Sequence, residues 1–194
     1  MELVLDLNKR YTYADYLTWM DDVRRELIDG FIYMMAGTSR KHGAVSRNIA
    51  LDLSMYLKNN KCNCEVYFAP IDVLLPKNGE TDDDKIYDVV QPDIFVVCGG
   101  WKGGDNAFLG APDMVVEILS PSNRKKDLIK KFLLYQDAGV REYWIADPKV
   151  KTVTAYIMQE DGEYNDGELY QTGEKVPVHI FNGHLIDVND IFNF

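Results

Sequence analysis

Between Ser39 and Leu57 apolar residues fall at positions 45, 49, 53 and 57, one per turn, which predicts an amphipathic helix with one buried face. "TYADYLTWMDD" shows helix spacing at 13, 16, 17 and 20, behind Thr12 as a candidate N-cap. "RRELIDGFIYMM" then reads as two short strands around Asp29-Gly30, a dipeptide that favours hairpin turns. Further on the rhythm is that of strands. "CEVYFAPIDVLLP" reads as one strand bulged near Pro70, and "VVQPDIFVVC" and "PDMVVEIL" as near-continuous central strands covered on both faces. "NRKKDLIKKFLLYQDAG" is a helix with Leu128, Phe132 and Tyr135 on one face, ended by Gly139, with Ser120 and Ser122 as candidate caps near Asn123. "VREYWIAD" is a further strand. "TVTAYIM", "EYNDGELYQ" and the tail form a small antiparallel extension, with Asp166-Gly167 as its hairpin turn.

This order predicts a mixed α/β (α+β) fold: a central mixed sheet flanked by helices, an added N-terminal hairpin and C-terminal antiparallel strands. The 194 residues read as one domain, with a core over about 11–158 and a β extension over 159–194. Hydrophobic residues at 46% and charged residues at 27% are ordinary for a globular chain, and no apolar run approaches the roughly 20 residues of a membrane helix. "MELVLDLNKR" lacks the basic-then-apolar order of a signal peptide, so a cytoplasmic chain is expected. Cys62, Cys64 and Cys98 read as unbridged small hydrophobes of a reducing compartment, since neither they nor His42, His179 and His184 form a zinc pattern. The net charge of −10 excludes a protein whose whole surface grips nucleic acid, but leaves room for a local basic patch.

"PDMVVEILSPS" sets one carboxylate, Glu117, inside an apolar strand, where an unpaired charge is costly. Asp113 lies four residues away on the same strand, roughly 13 Å off, too far to share a cation with it. Asp93 sits on another strand of the same buried type. If those two strands pair, Asp93 and Glu117 converge on one ion, which would make the buried carboxylate tolerable. Among the basic residues Arg124, Lys125, Lys126, Lys130 and Lys131, most belong to a solvated face, while Lys131 borders the apolar face. Tyr143 and Trp144 read as core, Asp147 before Pro148 as a turn residue.

The stretches "ELIDGFIYMM", "SRKHGAVSRNIALDL", "VVQPDIFVVC", "GAPDMVVEILSPSN" and "DLIKKFLLYQDAGVREYWIADP" together resemble the Uma-two family of restriction-endonuclease-like proteins, a branch of the PD-(D/E)XK nuclease superfamily. The resemblance implies a nuclease-like fold and a divalent-metal site, with Mg²⁺ or Mn²⁺ held by Asp93 and Glu117. The superfamily's usual lysine two residues after the second acid is missing, because position 119 is Leu. The resemblance points instead to Lys131 on the following helix. It also implies that Glu26 is a further ligand and that His42 contacts phosphate or holds Glu26. Against this, Glu26 has ordinary partners in Arg24 and Arg25. The function implied is a metal-dependent endonuclease acting on DNA through a local basic patch, with a homodimer as the natural arrangement for cutting both strands. The alternative is a degenerate nuclease fold kept as a binding or assembly module.

Overall fold

Thr12 caps the first helix, α1 (Tyr13–Tyr16), in a computed structural model that describes residues 5–35, 37–120 and 126–194. Thr12 and Asp15 exchange side-chain and backbone hydrogen bonds as a capping box, but the helix stops at Leu17 instead of running on to Met20. β1 (Arg25–Ile28) and β2 (Phe31–Met34) form the predicted hairpin. Its turn residues, Asp29 (φ 52°) and Gly30 (φ 78°), both take the left-handed backbone that a tight two-residue turn requires. α2 (Arg40–Asn60) starts behind Ser39, whose hydroxyl accepts the His42 amide, and buries Val45, Ile49, Leu53 and Leu57 as the spacing predicts.

The chain then runs through β3 (Cys64–Phe68), β4 (Asp72–Leu74), β5 (Val89–Val90), β6 (Ile94–Cys98), β7 (Ala107–Leu109) and β8 (Met114–Ile118). After α3 (Lys126–Ala138), ended by Gly139 (φ 86°), come β9 (Glu142–Asp147), β10 (Thr152–Ile157), β11 (Glu168–Gln171), β12 (Lys175–Val178), β13 (His184–Asp187) and α4 (Val188–Ile191). Strands β11-β10-β9-β8-β6-β3 form a six-stranded mixed sheet, and β2-β1-β5-β4-β7 a five-stranded one. β12 and β13 pair as a separate ribbon. The β8–β9 pair is parallel, so α3 makes the crossover between them.

Side chains alternate across the large sheet. Ile94, Val96, Met114, Val116 and Trp144 face α2 and the C-terminal ribbon. Phe95, Val97, Val115 and Tyr143 face α3 and the five-stranded sheet, where Tyr135, Val73 and Val90 meet them. The fold is thus mixed α+β, as expected, but with two sheets where one central sheet was anticipated.

The difference arises at two prolines. "CEVYFAPIDVLLP" is two strands, β3 and β4, which belong to different sheets on either side of Pro70. "VVQPDIFVVC" likewise splits at Gln91-Pro92-Asp93 into β5 and β6. Proline has no N–H for a ladder, so each is a natural place for the chain to leave one sheet for the other. β7, inside "GDNAFLGAP", went unpredicted because three residues carry too little periodicity. Asp166-Gly167 is not the hairpin tip. Met158 bridges Tyr164, so the chain reverses earlier, near Gly162, and Gly167 instead lets the backbone pass close to Tyr156.

The reading of the cysteines is corrected. Cys64 and Cys98 stand opposite each other on β3 and β6 and form a disulfide; Cys62 is free. The cysteines therefore no longer argue for a reducing compartment. Among the described residues no helix is long and apolar enough to cross a membrane. Ser122, Asn123, Arg124 and Lys125 lie outside the described residues.

Candidate active site

Asp93 enters β6 and Glu117 lies near the end of β8. The two strands pair antiparallel with Ile94 opposite Val116, which brings the two acids to the same end of the pair. Asp93 Oδ2 accepts the Ile118 amide at 2.7 Å and stands 3.1 Å from His42 Nε2. Glu117 shares the strand face of Val115 and so points toward α3. There Lys131 Nζ donates to Glu117 Oε1 at 2.8 Å and, at the same distance, to Glu26 Oε1 from β1. The Tyr135 hydroxyl donates to Glu117 Oε1 at 2.6 Å, and the Gln91 amide to Glu26 Oε1 at 2.9 Å. Helix spacing explains the pair on α3: residues 131 and 135 are one turn apart and lie on one face.

Glu26, His42, Glu117 and Lys131 are each buried, with 5–8% of their surface exposed. Burial pushes the Glu117 carboxyl up to about 7, with Asp93 and Glu26 adding to the rise against the pull of Lys131. Burial alone would lower the Lys131 ammonium, but the carboxylates of Glu117 and Glu26 outweigh it and hold the lysine charged well above its ordinary range. One cation shared between two carboxylates also leaves the cluster net negative, which adds to the rise of Glu117 and keeps Lys131 protonated. Burial also disfavours His42 as a cation, yet its bond to Asp93 raises it above 6.5.

These side chains open onto a cavity of about 80 Å³, room for several waters, lined by Glu26, Tyr33, His42, Asp93, Glu117 and Lys131 among others. Five separated stretches of sequence are thereby brought together. His42 reaches Asp93, not Glu26, and Glu26 pairs with Lys131, not with its neighbours. Arg25 is taken by Asp21, and Arg24 Nε donates to Gln91 Oε1. Among the described residues no group of three or more His, Cys, Asp and Glu is arranged to hold a metal ion. The donor set of Asp93 and Glu117, two hard carboxylates on adjoining strands beside a water-sized cavity, does suit Mg²⁺ or Mn²⁺, which keep much of their water and bind through one or two carboxylates plus substrate phosphate.

Three participants were not foreseen. Tyr135 read as core, because its spacing is that of an apolar face. Gln91 carried no signal at all, although its side chain links Arg24, Asp72 and Tyr16. Arg24 was weighed only as a partner for Glu26.

The model of the Uma2 family, described as "Putative restriction endonuclease", matches residues 13–189. An uncharacterized protein of Synechocystis, slr1290, is 26% identical over 153 residues, covering 77% of this chain and 75% of that protein. A crystal structure from Anabaena variabilis, described as "a putative nuclease belonging to DUF820", superposes with a TM-score of 0.74 at 23% identity, covering 94% of this chain and 98% of the other. That likeness establishes a shared fold. With the family model spanning nearly the whole sequence, the chain belongs to the Uma2 family of restriction-endonuclease-like proteins.

Proposed function

We propose that the protein is a metal-dependent endonuclease that hydrolyses phosphodiester bonds of DNA. The observation that carries this reading is the meeting of Asp93 and Glu117 at one end of paired strands, with Lys131 Nζ held against Glu117. Asp93 and Glu117 would hold Mg²⁺ or Mn²⁺, with Glu26 acting from the far side of Lys131. Such an ion, when bound, polarises a phosphate and acidifies its coordinated water.

The remaining work falls to the chain itself. Lys131 lies where its ammonium can orient a water toward the phosphate and offset the charge that builds up in the transition state. Glu26 and Glu117 fix that ammonium from two sides, so little reorganisation is needed when charge develops. His42 holds Asp93 through Oδ2, and Tyr135 holds Glu117 through Oε1. The lysine that position 119 lacks is thus supplied from α3. The family description supports a nucleic-acid substrate. Local basic groups, including Lys130 beside Tyr33, would meet the backbone, and a homodimer would present two sites to a duplex.

The test is a Mn²⁺ and Mg²⁺ titration by calorimetry on the wild type, Glu117→Gln and Asp93→Asn, followed by cleavage of a supercoiled plasmid. Saturable binding that both substitutions abolish, with metal-dependent nicking, is expected. A folded wild type that neither binds metal nor nicks DNA would favour the binding-module reading instead.

A further inference from the structure

A second depression adjoins the cavity of the candidate site. A groove of about 540 Å³ runs between α2 and the end of β3, within the size range of clefts that hold a nucleotide-sized ligand. Arg24, Thr38, His42 and Asp93 line both spaces, so the groove borders the site. In a chain of net charge −10, the charged side chains lining the groove beside His42 are Arg24, Arg47 and a single acid, Asp93. Small residues on α2 (Gly43, Ser46 and Ala50) keep its floor open. Phe68, the last residue of β3, lies along it with 58% of its surface exposed.

Arg24 adds an unfilled hydrogen-bonding position. Its Nε is fixed by Gln91 Oε1, and Gln91 in turn donates to Asp72 Oδ1 at 2.8 Å. The guanidinium is therefore held in place, yet its Nη2 is buried without a hydrogen-bond partner among the described residues. A buried donor left unmade is costly, more so on a charged group, and native proteins keep few of them without a use. Arg24 lines the groove, so an anion seated there would satisfy this donor once the guanidinium turns toward it.

We propose that this groove binds one unpaired nucleotide of the substrate strand beside the scissile phosphate. Phe68 stacks on the base, while Arg24 and Arg47 hold the flanking phosphates. This rests on the nuclease reading and deepens it, because it assigns the strand a path and a single-stranded character. In a duplex both faces of a base are already stacked, so an exposed phenyl ring selects a nucleotide with a free face. Arg47, on the exposed side of α2, rests both Nε and Nη2 on Asn48 Oδ1. Those are neutral bonds that a phosphate would replace with charge-assisted ones.

The test uses a short fluorescein-labelled single-stranded DNA, titrated by anisotropy in EDTA and in Mn²⁺ at several salt concentrations. Wild type, Phe68→Ala, Phe68→Trp and Arg47→Ala are compared, with thermal unfolding to show that each folds. Phe68→Ala should weaken binding roughly tenfold, and Phe68→Trp should restore it with its indole emission quenched on binding. Arg47→Ala should lower the slope of log affinity against log salt by about 0.7, the signature of one lost phosphate contact on a single strand. Unchanged affinity and slope in Phe68→Ala and Arg47→Ala would overturn the groove and leave the nuclease reading standing. So would a dimer lost on Phe68→Ala without any change in DNA binding, which would assign the groove to a second copy of the chain. A wild type that neither binds nor cuts nucleic acid would overturn both.

Discussion

Replacing Lys131 with Met removes the charge while keeping an unbranched chain of similar length. In the native protein its ammonium is 2.8 Å from both Glu26 Oε1 and Glu117 Oε1, and all three side chains are buried. Breaking a buried pair by deleting one partner costs about 3–5 kcal/mol, because it strands a charge in a medium that solvates it poorly. The stranded carboxylates have one escape, which is to bind a proton. Each carboxyl kept neutral costs about 1.4 kcal/mol for every pH unit above its ordinary value near 4.5.

That fixes the sign of the pH dependence. The folded variant retains a proton that the unfolded chain releases, so its stability falls as pH rises above about 4.5. The wild type shares this trend up to about pH 7, where Glu117 loses its proton beside Lys131, and the variant, without that cation, keeps the proton to higher pH. Urea unfolding in EDTA should therefore give a loss of about 3–5 kcal/mol that is nearly constant below pH 7 and grows by up to about 1.4 kcal/mol per unit as pH rises from 7 toward 9. A loss below about 1 kcal/mol, or one that does not grow above pH 7, would refute the shared-cation account.

Three further outcomes follow from the same structure. In metal-free protein the His42 imidazole should titrate above 6.5 by NMR, and Asp93→Asn should bring it to or below that value, since burial and Arg24 are then opposed only by the weaker pull of Glu117; no shift would separate the two residues. Because His42 is raised, the stability it contributes is full below pH 6.5 and is lost as pH rises through its higher folded value. Glu142 is fully buried, its oxygens accepting Trp144 Nε1 and the Ile180 amide, so Glu142→Gln turns an amide N–H toward one of those donors. It should cost about 1–3 kcal/mol in thermal or urea unfolding, and a neutral result would mean that the carboxylate does not anchor the segment at Ile180. Reducing the Cys64–Cys98 bridge, which closes a loop with a sequence separation of 34, should cost about 3–4 kcal/mol; an unchanged urea midpoint in dithiothreitol would refute this.

The elements with strong periodicity were legible from the residues alone. The four apolar positions read at one per turn on α2 are all buried, and Asp29-Gly30 makes its turn because both residues tolerate the left-handed backbone. The acid pair was legible to the extent that two apolar strands, each carrying one carboxylate, invite pairing. The division into two sheets was not, because a proline between apolar runs looks the same whether it bulges a strand or ends it. The disulfide depended on a strand register that spacing does not reveal. Gln91 and Arg24 were invisible for a related reason: their importance lies in what they touch across 67 residues of chain, and neither sits in a local pattern.

Glu26 belongs to the five-stranded sheet, Glu117 to the six-stranded one, and Lys131 to the helix that crosses over the latter. Their junction therefore fastens the two halves of the scaffold as well as forming the centre of the cavity. A lineage that abandoned catalysis could not discard these residues singly without loosening the fold, whereas exchanging all three together for apolar side chains would be far less disruptive. Intermediates with one charge missing should thus be scarce, and inactive descendants should show the cluster either whole or replaced as a block.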